Sequence, residues 1–370
     1  MKMSVGVDLH KTQFTVCCLS EDRRGQESGI CPTTDHGYRA FIMKMSNWDK
    51  ECYEVTAAVE STGNTRYFRN RLLKAGIEVR IVNNLKFKVV NESVKKSDKH
   101  DSRTLAEFLG KDMSPESILC SQESEDIRRI LKSRPILVKA LVSLKNQVHG
   151  LLLGYGIESR RGQLQSRKDR QRILTGLADH RSYGNVAQAA KPLLGSIDQI
   201  ASEAKALERV LSDLVSEDED VALLQTIPGV GLTTVATIRA YTDGINRYES
   251  DKKYSAHAGL VPWVQNSNKT IRYGHITKRG PVELRTAFVQ MVMGVLRLQN
   301  KTDGYWVMSK HRAMKEHKGI GKSIITTARK MSTIVYAILK TRQPFEPSKM
   351  SPDLKYVEIS KIARRYALVV

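Results

Sequence analysis

The sequence predicts a mixed α/β domain at the amino terminus, followed by a mainly helical remainder. Apolar and polar residues alternate through residues 4–19, a period of two that is typical of β-strands. Strand patterns at residues 53–59 and 79–82 alternate with helix patterns, which indicates an α/β layer. After residue 122 the apolar residues recur at helical spacing, so we expect no further strands there.

The α/β domain is predicted element by element. Residues 4–19 predict a hairpin whose first strand ends near Asp8. A helix over residues 37–48 precedes the strand at residues 53–59, which leads into Glu60. A basic helix over residues 65–75 and the strand at residues 79–82 come next. The last helix begins at Asp98, with Ser97 available as its N-cap. Because a hairpin opens the sheet, the sheet is mixed, and the order of elements suits an RNase H-like fold.

The remainder is predicted to be helical. The first helical stretch is interrupted near Pro135, and residues 154–181, rich in Arg and Gly, predict a basic linker or mobile loop. The apolar stripe of a charged helix at residues 196–215 fits either a core or a dimerising coiled coil. We predict four parts: a RuvC-like catalytic domain at residues 1–155, a basic linker with coiled-coil helices at 156–219, a carboxy-terminal domain at 220–345 and a tail at 346–370.

Charge and cysteine content narrow the class of function. Sixty Lys and Arg against 39 Asp and Glu give a formal net charge of +21, which favours nucleic acid as a partner. A generally basic surface, or a ribosome-associated protein without chemistry, is the alternative. The five cysteines form no C-x-x-C pair and predict buried thiols in a reducing compartment. No signal core opens the chain, and no run approaches the ~20 apolar residues of a membrane span. We therefore expect a soluble, cytoplasmic protein that does not bind a membrane.

Four acids are the candidate catalytic residues. Asp8 and Glu60 end separate predicted strands, and Asp98 and Asp101 are spaced i, i+3 at a predicted helix start, so both project from one helix face. Carboxylates that converge in this way repel one another unless a cation neutralises them. Hard oxygen ligands select Mg²⁺ or Mn²⁺. The sequence therefore predicts a divalent metal site that acts on a phosphodiester.

The turn Ile-Pro-Gly-Val-Gly at residues 227–231 is the first candidate nucleic-acid contact in the second half. Gly229 and Gly231 stand between two predicted helices, as in a helix-hairpin-helix motif, where backbone N–H groups beside a helix N-terminus bind phosphate. The alternative is a helix-helix turn that needs glycine for tight packing.

A polar loop after Pro262 is the second candidate. Ser267 lies there among four cations that would stabilise charge on an attacked phosphate: Lys269, Arg272, Lys278 and Arg279. From these residues alone, a surface hairpin serine beside DNA-binding cations is the commoner situation.

These segments together resemble the DEDD-type insertion-sequence transposases, a family that includes the Piv-type DNA invertases. The resemblance covers residues 3–345. The matching segments keep the family's order and spacing, at residues 6–11, 59–63, 96–102, 144–152, 227–231, 258–262, 274–280 and 328–331.

The resemblance implies a RuvC-like metal site at Asp8, Glu60, Asp98 and Asp101. It also implies a carboxy-terminal serine transposase domain with a nucleophilic serine after Gly-Leu-Val-Pro, usually in a Ser-Ser-Gly-Gly context. The count along the loop assigns this role to Ser267. Here Asn266 replaces the first serine, and Asn268 and Lys269 replace the glycines.

The resemblance further implies how such a protein would work. The serine of one protomer would attack a strand held by the acids of another, giving a covalent phosphoserine intermediate. The assembly would be a homo-oligomer, a dimer that becomes a tetramer in the synaptic complex. A structured noncoding guide RNA would pair with donor and target DNA, while the protein contacts backbones.

Three other functions remain open from sequence. The first is a RuvC-like, metal-dependent DNA endonuclease or resolvase that hydrolyses DNA without a covalent step. The second is a sugar-kinase or actin-like ATPase, whose phosphate loops also begin with Gly-Val-Asp. The third is a non-catalytic helix-hairpin-helix protein that binds DNA.

Overall fold

The computed structural model describes residues 1–21, 26–50, 53–84, 86–87, 97–160, 162–179, 184–267, 270–302 and 305–350. Its internal contacts divide the chain into two compact units, Met1–Leu119 and Cys120–Val370. The four-part division expected from sequence has finer boundaries and stays a prediction.

The first unit is built around a five-stranded mixed sheet. Its strands, in chain order, are β1 (Lys2–Leu9), β2 (Gln13–Ser20), β3 (Gln26–Pro32), β4 (Glu54–Glu60) and β5 (Glu78–Val82). Their order across the sheet is β3-β2-β1-β4-β5. The pairs β1–β2 and β2–β3 are antiparallel, whereas β1–β4 and β4–β5 are parallel. The predicted mixed sheet is therefore confirmed, and the architecture is compatible with an RNase H-like fold.

Strand β3 was not predicted from the sequence. It is an edge strand of the sheet, and Ile30 within it is 66% exposed. A strand with one unpaired edge and little buried surface lacks the clean alternation by which strands are predicted.

Helices cover both faces of this sheet. They are α1 (Asp35–Lys50), α2 (Thr65–Leu73) and α3 (Asp98–Gly110). On one face the aromatic rings of Phe14, Tyr38 and Phe68 lie within about 6 Å of one another in a buried cluster. On the other face Leu105 and Leu109 of α3 pack with Ala58 of β4. The central strands are thus buried between two helical layers, as parallel strands require.

The second unit is mainly helical. Its helices are α4 (Gln122–Leu153), α5 (Arg167–Ala178), α6 (Gly184–Leu214), α7 (Glu219–Gln225), α8 (Leu232–Thr242), α9 (Asp251–His257), α10 (Val282–Arg297), α11 (Gln299–Thr302), α12 (Trp306–Lys318) and α13 (Ile320–Thr341). Short 3₁₀ turns occupy Ile245–Arg247 and Pro347–Met350. One hairpin, β6 (Pro262–Ser267) and β7 (Thr270–Ile276), stands among the helices. The expectation that no strands follow residue 122 was therefore wrong.

Two further expectations about this unit were wrong. Helix α4 runs through Pro135 without ending there, since the ring of a proline removes one hydrogen bond but neighbouring turns can continue the helix. Residues 154–181 hold helix α5, capped by the Ser166 hydroxyl, which accepts a hydrogen bond from the amide of Asp169. Buried Arg170 on α5 forms an ion pair with Asp198 of α6. An arginine whose charge suggested a linker is therefore part of a packed helix.

Helices α4 and α6 pack along each other within this one chain. Val148 and Leu152 of α4 share a buried cluster with Leu194 and Ile197 of α6, and Leu211 reaches the larger core that follows. Part of the apolar stripe of α6 is therefore intramolecular core. Dimerisation through these helices stays a prediction.

Helix α4 is long and apolar enough to cross a membrane by length and composition alone, with a mean hydropathy of 1.2 over its most apolar window, of which 11% is buried. The expectation that no such run exists is corrected to that extent. One helix of this kind is weak evidence, because helices of soluble proteins pass the same test.

Candidate functional site

The ends of two neighbouring strands place the first two acids side by side. In the parallel pair β1–β4, Val7 is opposite Val59, so Asp8 and Glu60 follow at the same level and project to the same face. Both residues stand at the carboxyl ends of their strands. Ligands and catalytic residues commonly occupy this edge of an α/β sheet.

Helix α3 brings the other two acids to that edge. It lies directly on β1, because a Cβ built on Gly6 would stand 1.9 Å from the carbonyl oxygen of Ser102 and 2.5 Å from the amide nitrogen of Ala106. At the other end of the contact, Gly110 lies against Ser4, so α3 runs opposite to β1. Its N-terminus therefore reaches the edge where β1 ends, and Ser97 caps this N-terminus as predicted.

His10 connects two of the acids. Its Nε2 lies 3.1 Å from Oδ2 of Asp8 and 3.4 Å from Oδ2 of Asp98. The ligand atoms of these three residues lie within 4.8 Å of one another, close enough to hold one metal ion. Asp8 is 18% exposed, whereas His10 and Asp98 are about half exposed. The cluster is thus anchored in the sheet on one side and open to a large substrate on the other.

The electrostatics of Asp8 reflect this crowding. Partial burial raises the pKa of its carboxyl above the ordinary value, and the nearby carboxylates of Asp98 and Asp101 raise it further, while His10 opposes both. A bound cation would remove the repulsion between these carboxylates.

Glu60 and Asp101 lie on the same edge, but within the described part of the chain they stand outside the three-residue cluster. The backbone around Glu60 is well held. The Thr65 hydroxyl donates to the carbonyl oxygen of Glu60 at 2.7 Å, and the Asn64 amide donates to the carbonyl oxygen of His10 at 2.9 Å. The segment after β4 and the turn after β1 are therefore tied together at the acidic edge.

His10 is the site residue that the sequence analysis missed. The signal was present, since Asp-x-His at a strand end places two polar side chains on one face at i, i+2. What was missing was the contact with Asp98, which is 88 positions further along the chain and reaches His10 only through the packing of α3 on β1.

Ser267 is the last residue of β6, and its backbone pairs with Thr270, the first residue of β7. The predicted loop is thus mostly a two-stranded hairpin, with an irregularity near Pro262 and Val264. Trp263 and Tyr273 on the hairpin are 52% and 71% exposed. The hairpin therefore presents two aromatic rings to the surroundings.

The base of this hairpin is tightly held. The amide of Thr277 donates to the carbonyl oxygen of Val261 at 2.9 Å. A Cβ built on Gly280 would stand 1.9 Å from the carbonyl oxygen of His257, and Lys278 adopts a left-handed conformation with φ 53°. The Arg285 guanidinium donates to the carbonyl oxygen of Lys278 at 3.3 Å. These contacts hold the two ends of the hairpin against α9 and α10.

The remaining predicted nucleic-acid residues are placed as follows. Arg272, Lys278 and Arg279 are exposed on or beside the hairpin. Lys269 lies outside the described residues.

The Ile-Pro-Gly-Val-Gly turn joins α7 to α8, between two helices as expected. Gly229 has φ 78°, and a Cβ there would stand 2.5 Å from the carbonyl oxygen of Gly294 on α10. Gly229 therefore serves tight packing against α10. Gly231 is different, since it is the N-cap residue of α8 and a Cβ built on it would meet nothing within 4 Å. A phosphate-binding role for this turn stays a prediction.

Comparison with known proteins identifies two regions of the chain. Residues 5–157 match a family of transposases, the DEDD transposases of the IS110 type. Residues 221–307 match a second family, the transposases of the IS116/IS110/IS902 family. The first match contains the acidic edge, and the second contains the glycine turn and the hairpin with Ser267.

Full-length relatives agree with these matches. A transposase for insertion sequence element IS1111A of Coxiella burnetii is 27% identical over 92% of this chain and 90% of its own length. A transposase for insertion sequence element IS1328 of Yersinia enterocolitica is 23% identical over 82% and 87% of the two chains. A pilin gene-inverting protein of Moraxella bovis is 24% identical over 93% and 98%.

The two matched regions and the full-length relatives together define a DNA-cleaving recombinase. The chain belongs to the IS110/IS116 family of insertion-sequence transposases. The resemblance inferred from the sequence motifs is thereby confirmed, and DNA is its substrate class. The family points to a divalent metal, and the carboxylates of Asp8 and Asp98, which lie on either side of His10, fit one.

Proposed function

We propose that this transposase cleaves and rejoins DNA through a divalent metal site on the first unit and a serine nucleophile on the second. The observation that carries the proposal is the convergence of Asp8, His10 and Asp98 at the carboxyl end of β1. A surface cluster of carboxylates at a sheet edge, held by a close helix contact, is costly unless it serves a cation.

The acidic edge would hold Mg²⁺ or Mn²⁺ through Asp8, Glu60, Asp98 and Asp101. Such an ion would stabilise the negative charge that develops on an attacked phosphate. His10 is a positioning residue in this scheme, because its imidazole hydrogen-bonds the Asp8 carboxylate and lies beside Asp98. Half-exposed Asp98 leaves room for a phosphodiester on the open side.

Ser267 would supply the nucleophile. Its hydroxyl oxygen bonds to phosphorus, the bond from phosphorus to the leaving deoxyribose oxygen breaks, and the proton lost by the serine is balanced by the one that the leaving oxygen gains. The phosphoserine keeps the bond energy, so attack by another strand's hydroxyl rejoins DNA without ATP. The position of Ser267 at the end of a strand with a tightly held base supports this role.

Phosphate contacts on the second unit would position the DNA. Gly231 at the N-terminus of α8, with Gly229 in the same turn, would bind a phosphate through backbone amides as in a helix-hairpin-helix motif. Lys269, Arg272, Lys278 and Arg279 would contact the backbone beside Ser267. The net charge of +21 supports binding to the DNA backbone. It equally supports a structured guide RNA as a second partner.

The assembly belongs to the same proposal. A homo-oligomer, dimeric and then tetrameric at synapsis, would bring donor and target DNA together. The boundaries at residues 155, 219 and 345 are proposed as the domain limits, supported by the first family match, which ends at residue 157.

A covalent adduct tests the serine. Wild-type protein is incubated with donor DNA labelled at one end, and the products are separated on a denaturing gel. A labelled protein-DNA adduct is expected from wild type and from the neighbouring Asn266→Ala control, and none from Ser267→Ala. Cleavage by Ser267→Ala at the wild-type rate would instead favour the metal-dependent endonuclease that hydrolyses DNA.

Metal binding tests the acids without relying on activity. In a calorimetric titration, Mn²⁺ is expected to give a heat of binding with the wild-type protein and to raise its unfolding temperature. Asp8→Asn is expected to lose both effects. Glu107→Gln is the matched control, because it neutralises a partly exposed carboxylate on α3 that forms an ion pair with Arg103. Equal Mn²⁺ binding by Asp8→Asn and wild type would contradict the site.

A further inference from the structure

A groove on the second unit is separate from the acidic edge and from the hairpin. It has a volume of about 670 Å³ and lies along α12 and α13, with the start of α9 at one side. Most of its lining follows residue 307, where the second matched region ends. The volume is in the range of pockets that hold small organic ligands or single nucleotides.

The rim of the groove is strongly basic. Five cationic side chains line it, against the single carboxylate of Asp251: Lys252, Lys310, Lys318, Arg329 and Lys330. All five are exposed. None of them forms an ion pair with a carboxylate in the part of the chain that the structure describes. Five cations against one carboxylate favour a polyanion as the ligand.

The floor of the groove is apolar and aromatic. Trp306, Val307 and Met314 line it, and two of the rim lysines lie against the ring of Trp306. The ammonium groups of Lys310 and Lys330 lie 5.4 Å and 4.9 Å from the centroid of its ring. Two like charges therefore converge on one aromatic ring, an arrangement that an anion bound between them would stabilise.

We propose that this groove binds an unpaired segment of single-stranded DNA. A nucleotide without its pairing partner has a flat apolar base and a charged phosphate, which match an aromatic floor and a basic rim. In a duplex the faces of the bases are stacked and cannot contact Trp306. An acidic segment of a protein would supply the negative charge but no flat ring to stack on the indole. Strand exchange by a transposase leaves cut strands unpaired, so the occupant is a strand end that the enzyme holds while it awaits rejoining. The inference rests on the family's DNA chemistry, and neither the metal nor Ser267 enters it.

Fluorescence of Trp306 tests the contact directly. The chain has three tryptophans, so the double variant Trp48→Phe/Trp263→Phe keeps only Trp306 as an indole reporter. Titration of this full-length protein with a twelve-residue oligothymidylate, in EDTA, is expected to quench the emission with saturation. No quenching at DNA concentrations that saturate binding by anisotropy would overturn the proposal.

Charge removal in the groove tests the rim. In the same background, Lys310→Gln/Lys330→Gln is expected to weaken binding of the oligothymidylate at least 10-fold and to reduce the slope of log Kd against log salt by about 1.4, since each lost phosphate contact on a single strand contributes about 0.7. The matched control is Lys191→Gln/Lys205→Gln, two exposed lysines of α6 with the same change in charge. Equal losses in both pairs would show a general charge effect and would overturn the site.

The choice of probe separates occupants. Oligothymidylate is expected to bind at least 10-fold more tightly than a duplex of equal length, and at least as tightly as oligouridylate. Preference for the RNA, or for the duplex, that depends on Lys310 and Lys330 would overturn the assignment to single-stranded DNA. Because the assay contains no metal and reads the fluorescence of Trp306, its outcome does not depend on DNA cleavage. Failure of the groove is thus distinguishable from failure of the proposed cleavage chemistry.

Discussion

The two candidate reaction centres of this transposase are built in opposite ways. The acidic edge takes its side chains from the ends of a central strand and a helix that lie in close contact, with Gly6 allowing the approach. Ser267 stands in a hairpin whose strands, among the residues that the structure describes, form a separate two-stranded sheet. Its neighbours Trp263 and Tyr273 are largely exposed.

The difference has a physical reason. Ligands of a metal must be held within fractions of an ångström, and packed strands and helices provide this. A two-stranded hairpin alone is marginally stable, so its contacts at the base determine where it points. We therefore expect a disturbance of the packing to abolish metal binding at the acidic edge. A disturbance of the hairpin should reduce its function while the rest of the protein stays folded.

The largest effect is expected from Gly6→Ala. The added methyl would overlap the carbonyl oxygen of Ser102, so α3 must move away from β1 and carry Asp98 with it. We expect the variant to lose Mn²⁺ binding and to cleave DNA at less than about one thousandth of the wild-type rate. We also expect the unfolding free energy of the first unit to fall by at least about 3 kcal/mol. Calorimetry, gel assays and urea unfolding measure these.

Gly63→Ala is the control for this variant. Nothing lies within 4 Å of a Cβ built on Gly63, so its unfolding free energy should stay within about 1 kcal/mol of wild type. If Gly6→Ala binds Mn²⁺ normally, the close contact of α3 on β1 is not what positions the acids.

A smaller and more local effect is expected from Gly280→Ala at the base of the hairpin. Gly280 has φ 102°, and the methyl would meet the carbonyl oxygen of His257, at a cost of about 2–3 kcal/mol. The second unit should unfold earlier and adduct formation should fall, while Mn²⁺ binding by the first unit stays as in wild type. Gly195→Ala on α6, where nothing lies within 4 Å of the added methyl, serves as the control, and a parallel loss of Mn²⁺ binding by Gly280→Ala would remove the contrast between the two centres.

Acid should destabilise the second unit through His257. Burial is the main reason that the pKa of its imidazole is lowered to about 4, and Arg247 adds to it. The unfolded chain takes up this proton below about pH 6.5 and the folded chain only near pH 4, so the contribution is complete above pH 6.5 and is lost as pH falls towards 4. The loss amounts to roughly 3 kcal/mol.

Urea unfolding at pH 7.5, 5.5 and 4.5 measures this slope. His257→Gln keeps a neutral donor for the carbonyl oxygen of Tyr241, which Nε2 contacts at 3.4 Å. The variant should flatten the dependence for the second unit and leave that of the first unchanged. An unchanged slope in the variant would assign the acid sensitivity to carboxylates elsewhere.

The smallest effect is expected from Asp243→Asn. The Asp243 carboxylate accepts hydrogen bonds from the backbone amide and hydroxyl of Ser121 and from the hydroxyl of Ser124, and hydrogen bonds from these serines outweigh burial to lower its pKa. Asn tolerates the left-handed backbone at this position, with φ 49°, and its carbonyl oxygen can still accept these hydrogen bonds, so the change tests the negative charge that strengthens them and pairs with Arg247. We expect the second unit to lose about 1–2 kcal/mol, seen in urea unfolding; a loss below about 0.5 kcal/mol would contradict the role of this charge.

Much of the first unit was predictable from the chain because its signals are local. Alternation in β1 and β2, the acids at strand ends and the Ser97 cap all depend on residues a few positions apart, and the structure confirms these elements. A surface hairpin at Ser267 was one interpretation of the sequence, but the strands β6 and β7 were not predicted, because Asn and Ser residues at the end of the hairpin hide the alternation of Val264, Ile271 and Tyr273. Helix α5 was not predicted because the buried charge of Arg170 is neutralised by Asp198, a contact between segments that are distant in the sequence.

By itself, the sequence determined the family, the mixed sheet and the acids at its edge, since motif order and short-range periodicity are properties of the chain alone. Tertiary structure decided that His10 joins Asp8 to Asp98, because that contact exists only when α3 packs on β1 over Gly6. It also decided that Gly229 packs against Gly294 and that two lysines converge on Trp306. Each of these features joins segments whose separation along the chain leaves no periodic signal, so only packing reveals them.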